Sequence, residues 1–124
     1  MKTCSFIFLF IFLMGCSENQ SVNLSDDIDF GASYSIISTS EAPTIQNGTL
    51  IATVGYSGCN SGHEFELEHQ ITDTTAKLWL FKKTEDQLCE AYFEEEKSYD
   101  LPESVLNSEK IFLITPKEKK ISLK

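Results

Sequence analysis

The chain has 124 residues, 41% hydrophobic, 11% aromatic and 23% charged, the composition of one ordinary globular domain and not of a disordered or collagen-like chain. Ten lysines and no arginine stand against nineteen carboxylates for a net charge of -9. Such a balance repels phosphate backbones and argues against a nucleic-acid partner.

The first sixteen residues carry an address. Lys2 supplies a positive start and Phe6 to Leu13 an unbroken apolar run, too short for the roughly 20 residues that span a bilayer as helix, so the segment reads as a cleaved signal. Leu13-Met14-Gly15-Cys16 follows directly and resembles the lipobox of bacterial lipoproteins. That resemblance implies cleavage before Cys16, residues 1–15 as signal peptide, and a lipidated Cys16 as the new N-terminus. Acyl chains at about 0.8 kcal/mol per buried methylene then hold the protein on a membrane. Ser17 stands where an aspartate would retain an enterobacterial lipoprotein at the inner membrane, which favours the outer one. Without residues 1–15, nine lysines face nineteen carboxylates, a net charge of -10, so attachment is expected through the lipid and not through charge.

Residues 16–32 are rich in Ser, Asn and Asp and too poor in apolar side chains to offset their ordering entropy; they read as a tether. Asp26, Asp27 and Asp29 lack the glycine and glutamate that a calcium loop needs at its sixth and twelfth positions, where Ala32 and Ser38 fall if Asp27 is the first.

From residue 33 a single β domain is expected. Tyr34 to Ile37, Leu50 to Tyr56, His63 to Ile71, Ala76 to Lys82, Leu88 to Glu94, Ile111 to Thr115 and Lys120 to Leu123 are short runs rich in β-formers. Pro43, Asn47-Gly48, Ser61-Gly62, Pro102 and Pro116 separate them. About seven short antiparallel strands point to an all-β sandwich or small barrel. The one helical candidate is Pro102 to Ser108, with proline at its first turn.

With Cys4 in the signal and Cys16 acylated, Cys59 and Cys89 are the two thiols left in an oxidising compartment, and a disulfide is the economical reading. A redox pair or a metal site is the alternative, but no Cys-x-x-Cys and no second pair of soft ligands is present.

Alternation places His63, Phe65, Leu67, His69 and Ile71 on one face of a strand, read as the core side, and Glu64, Glu66 and Glu68 on the other. Each histidine stands alone; a structural role is favoured for both, and His63 is a weak metal candidate at best. A two-residue turn at Asp73-Thr74 pairs Leu67 with Leu80, Ile71 with Ala76, Glu68 with Trp79 and Glu66 with Phe81. Trp79 and Phe81 thus stand on a charged face. Either a further layer covers them or, with Glu66 and Glu68, they form a binding face.

The chemistry inventory is thin: no Gly-x-Ser-x-Gly, phosphate loop or His-Glu-x-x-His occurs, and the carboxylate runs read as solvated surface. No catalytic residue and no cofactor is assigned, and an enzyme is disfavoured.

Gly58-Cys59-Asn60-Ser61-Gly62-His63-Glu64-Phe65-Glu66-Leu67, then Leu88-Cys89-Glu90-Ala91 and Tyr99-Asp100-Leu101, resemble small bacterial exported lipoproteins of unknown function. The resemblance implies a Cys59 to Cys89 bridge with His63 beside it and no known activity. The expectation is a non-enzymatic cell-envelope lipoprotein whose β domain binds or scaffolds another envelope component. The alternative is an inhibitor of a host or competitor hydrolase, of the lysozyme- or protease-inhibitor kind, for which an acidic surface suits a cationic enzyme.

Overall fold

The computed structural model describes residues 28–39 and 41–124. The signal segment, Cys16 and the tether up to residue 27 lie outside the described residues.

Among the described residues, eight strands and one short helix form an open two-sheet sandwich and no closed barrel. In the first sheet β3 (Thr49–Gly58) is central. β1 (Ser35–Ile37) and β2 (Thr44–Gln46) pair end to end along one of its edges and β6 (Ala91–Asp100) along the other. The second sheet runs β4 (Phe65–Thr72), β5 (Thr75–Lys82), β7 (Lys110–Ile114), β8 (Lys120–Ser122). All pairs are antiparallel except β5 with β7, which is parallel. The chain leaves β5 for the first sheet and returns through β6 and α1 (Glu103–Leu106), the long crossover that a parallel pair requires.

Local chemistry fixes most of these elements. Asn47 and Gly48 both have positive φ, 51° and 79°, the requirement of a two-residue type I′ hairpin turn, and they join β2 to β3. The β4–β5 hairpin has the register that alternation gives, with Leu67 opposite Leu80, Glu68 opposite Trp79, Glu66 opposite Phe81 and Ile71 opposite Ala76. Pro102 precedes α1, where its missing N–H costs nothing.

Two expected strands shift. Leu88 to Cys89 is loop and not strand, and the exposed Leu88 side chain packs on nothing; the Cys59–Cys89 disulfide, with Cα atoms 4.7 Å apart, draws this stretch out of line, and pairing with β3 begins at Ala91. His63 precedes β4. Its neighbours on the expected core face divide: Phe65 is buried and Leu67 half-buried, but His69 and Ile71 are exposed, because β4 is the edge strand of its sheet and their partners Leu78 and Ala76 on β5 take the buried positions.

The core falls into two clusters. One is aliphatic and includes Leu50, Ala52, Ala76, Leu78, Ile111 and Leu113, closed at its end by Leu101 and Val105 of the α1 segment. The other is aromatic, with Tyr34, Tyr56 and Phe65 around Val54 and Leu80. Strand β6 lines the second with charge, since cross-strand pairing turns Glu95 inward beside Val54 and also turns Lys97 inward, its Nζ 5.3 Å from the Phe65 ring centroid. Inward-pointing charges on a ten-residue edge strand discourage edge-to-edge pairing with another chain.

Candidate functional site

The face singled out by alternation is the outer side of the second sheet. Trp79 and Phe81 are both half-buried there, opposite Glu68 and Glu66. Phe81 is bounded by the backbone at Gly31, which has a left-handed φ of 74°, and a Cβ on Gly31 would clash with the Lys82 carbonyl and press on the Phe81 ring. Half-buried Phe112 on β7 pairs with Lys77 of β5 and continues the row. Glu66 and Glu64 pair with Lys83 at 3.2 and 4.0 Å, and these exposed pairs contribute little to stability. The result is a flat surface of three partly exposed aromatic rings among glutamates and lysines.

A second constellation lies inside, beneath the disulfide. Alternation along β5 carries Ala76, Leu78 and Leu80 inward and then does the same to Lys82, whose side chain is 0% exposed. Its Nζ has no hydrogen-bond partner among the described residues. It lies 4.9 Å from the Tyr56 ring centroid and 3.9 Å from Asp86 Oδ1. Burial pushes the Lys82 ammonium below its ordinary pKa, with Asp86 opposing that shift. Asp86 is held low by the backbone N–H and hydroxyl of Ser33, which donate to its two oxygens at 2.9 and 3.0 Å.

His63 is also buried and stacks on Tyr56, with centroids 4.2 Å apart. Its Nε2 lies 3.2 Å from Gln87 Oε1, which also accepts from the Cys59 N–H at 2.6 Å. An amide oxygen has no proton to give, so Nε2–H donates, and the buried Nδ1 has no hydrogen-bond partner among the described residues. Gly58 makes this packing possible, since a Cβ there would press on both the imidazole and the Gln87 oxygen. The Tyr56 hydroxyl donates to Glu95, which also accepts from the Gly62 N–H, and the first of these bonds is the main cause that holds Glu95 below the usual carboxylate range. Lys97 donates to the His63 carbonyl at 3.1 Å.

The sequence therefore placed His63 beside the disulfide but did not reveal Tyr56, Lys82, Gln87 or Glu95 around it. The parity of β5 could have shown Lys82, because it stands two residues beyond Leu80. Chemically the cluster is a closed polar plug: imidazole, ammonium and phenol are shielded from solvent. Among the described residues no three His, Cys, Asp or Glu gather as a metal set. A hollow of about 350 Å³ lies outside it, lined by Ser33, Tyr34, Tyr56, Asp86, Gln87 and the exposed Tyr92. A wider one of about 480 Å³, beside Thr44, Ile51 and Glu96, is remote from both constellations.

Comparison with protein-family models, with characterised proteins and with solved structures finds no match to this chain.

Proposed function

We propose that the protein is a non-enzymatic cell-envelope lipoprotein, anchored through an acylated Cys16, whose β domain binds another envelope component through the outer face of the second sheet. The observation that carries the binding face is the half-exposed row of Trp79, Phe81 and Phe112, which leaves aromatic surface partly in water on a small domain that has a core elsewhere. The Leu13 to Cys16 tetrapeptide supports the anchor, and Ser17 after it supports the outer membrane as its place. The buried plug reads as structural, since its imidazole and ammonium are shut away from any ligand in solution.

Two measurements test this reading. Cells fed a clickable fatty acid should label the wild type and not Cys16→Ala, and label that persists in the variant refutes the anchor. A photo-crosslinking residue at position 81 should capture an envelope component in cells, while one at Ser98 on the opposite outer face should not; equal capture, or none at either, refutes the assigned face.

A second reading, an inhibitor of a cationic hydrolase, draws on the other outer face. There β6 presents Tyr92, Glu94, Glu96 and Asp100 to solvent without a lysine, a surface whose charge suits a basic enzyme.

A further inference from the structure

Net charge hides how the lysines are distributed. Strands β5, β7 and β8 carry Lys77, Lys82, Lys110 and Lys120 and no carboxylate, whereas β6 carries Glu94, Glu95, Glu96 and Asp100 against the single Lys97. Lys82 points inward; the other three belong to the outer side. Register makes Lys77 the neighbour of Phe112, places Lys110 beside Thr75, and sets Lys120 beside Ile114. Lys120 Nζ lies 6.0 Å from the Phe112 ring centroid. No carboxylate of the described residues lies within 4.0 Å of Lys77, Lys110 or Lys120. Burial and then the nearby Lys120 lower the pKa of Lys77, as mutual repulsion of unneutralised ammonium groups requires.

On this face Phe112 stands between Lys77 and Lys120, with Trp79 beside them and the carboxylates Glu66 and Glu68 confined to the β4 edge, and aromatic rings beside unpaired ammonium groups have the chemistry of a membrane interface, where rings sit at headgroup level and ammonium groups meet phosphates. We propose that this face, centred on Trp79, Phe112, Lys77 and Lys120, rests on the anionic headgroup surface of the lipid bilayer. The proposal rests on the reading of Cys16 as the anchor and names the component that the binding face meets. From Cys16 to Ile28 the chain covers at most about 40 Å, so the anchor keeps the domain near the bilayer without choosing which side turns toward it. Charge makes that choice. The outer side of the second sheet sets Lys77, Lys110 and Lys120 and a Lys83 paired with Glu64 and Glu66 against the remaining Glu68, whereas the outer side of β6 carries Glu94, Glu96 and Asp100 without a lysine; the acidic side lies about 10 Å beyond the second sheet, more than the roughly 8 Å over which salt screens charge, so the lysine face is the one an anionic surface repels least.

Trp79 is the only tryptophan in the chain, so its fluorescence reports this face. The acylated protein, purified from membranes, is reconstituted in vesicles of phosphatidylcholine alone or mixed with phosphatidylglycerol, each doped with lipid that carries a nitroxide near the headgroup. Trp79 should be quenched in the anionic vesicles, far less in the neutral ones, and less in about 0.5 M salt. With each lysine near an anionic surface worth about fivefold, Lys77→Glu with Lys120→Glu should lower the face-down population by roughly 25-fold or more, while the variant still floats with the vesicles. Flotation without quenching in anionic vesicles overturns the proposal and leaves the anchor standing. Failure to float overturns the anchor and the proposal with it. Equal quenching in both lipids overturns the role of the lysines. A doubled mass in detergent with Trp79 already shielded puts a second copy of the chain on this face and overturns the bilayer as its occupant.

Discussion

The two ends of the sandwich core solve the same packing problem differently. At the α1 end, Leu50, Leu78, Val105, Ile111 and Leu113 are fully or almost fully buried and bring no polar side-chain atom with them. At the disulfide end, Tyr56, His63, Lys82 and Glu95 share the interior with Tyr34 and Phe65, and two buried polar atoms, His63 Nδ1 and Lys82 Nζ, lack partners. Apolar burial alone suffices for the first. In the second, desolvated polar groups cost free energy that imperfect hydrogen bonding does not return, and a covalent link holds the covering loop in place. Stability is thus concentrated at one end and specificity of arrangement at the other.

The largest expected effect is at the aliphatic end. Leu113→Ala should lower unfolding stability by about 4 kcal/mol, within the 2–5 kcal/mol that cavities of this kind cost, as read by urea denaturation. The disulfide end should follow closely. Replacing Cys59 and Cys89 together by alanine reopens a loop with a sequence separation of 30 and should cost about 3–4 kcal/mol on the chain-entropy estimate. If the staple holds the covering loop, proteolysis of the variant should begin between Lys83 and Glu90. Lys82→Met should act in the opposite direction and raise stability by about 1–2 kcal/mol, since it replaces a buried ammonium that makes no hydrogen bond and only a 3.9 Å contact with Asp86 by an apolar chain of similar length; a loss of that size instead would mean that the fold depends on the Asp86 and Tyr56 contacts.

The smallest effects are in pH. The folded-state pKa of Lys82 lies below its ordinary 10.5, so the unfolded chain holds more protons in that window and stability should rise as pH climbs toward 10.5. Lys82→Met should remove this rise. Tyr34 and Tyr99 act in reverse: burial raises both phenols above the ordinary 10.0, Tyr99 to about 12. The folded protein then holds more protons, and stability should fall as pH rises through 10. Denaturation midpoints at a series of alkaline pH values check both slopes.

How much of this the sequence discloses depends on how local the cause is. The β4–β5 register was legible because strict alternation and a two-residue turn fix it within nineteen residues of chain, from Glu64 to Lys82. The short helix after Pro102 was legible from the same kind of local cue, and the disulfide from the cysteine inventory. β2 was not, because three residues give no period, although Asn47-Gly48 marked its turn. The start of β6 was misplaced because the apolar look of Leu88 outweighed the pull of the Cys89 bridge. The parallel β5–β7 pair is a non-local contact that no window contains. The plug around His63 stayed hidden for a further reason: lysine and glutamate are expected on surfaces, and only the parity of their strands betrays that Lys82, Glu95 and Lys97 turn inward.

Adjacent residues on β5 offer the most direct test of the claim that its outer side is a contact face and not a second core. Leu78 is wholly buried and Trp79, the larger side chain, is half-buried on the opposite side. Urea denaturation of Leu78→Ala and Trp79→Ala, each with the disulfide intact, should give a loss of about 2–5 kcal/mol for the leucine and less than about 2 kcal/mol for the tryptophan. A loss for Trp79→Ala equal to or greater than that for Leu78→Ala would place Trp79 in a core and contradict the binding face.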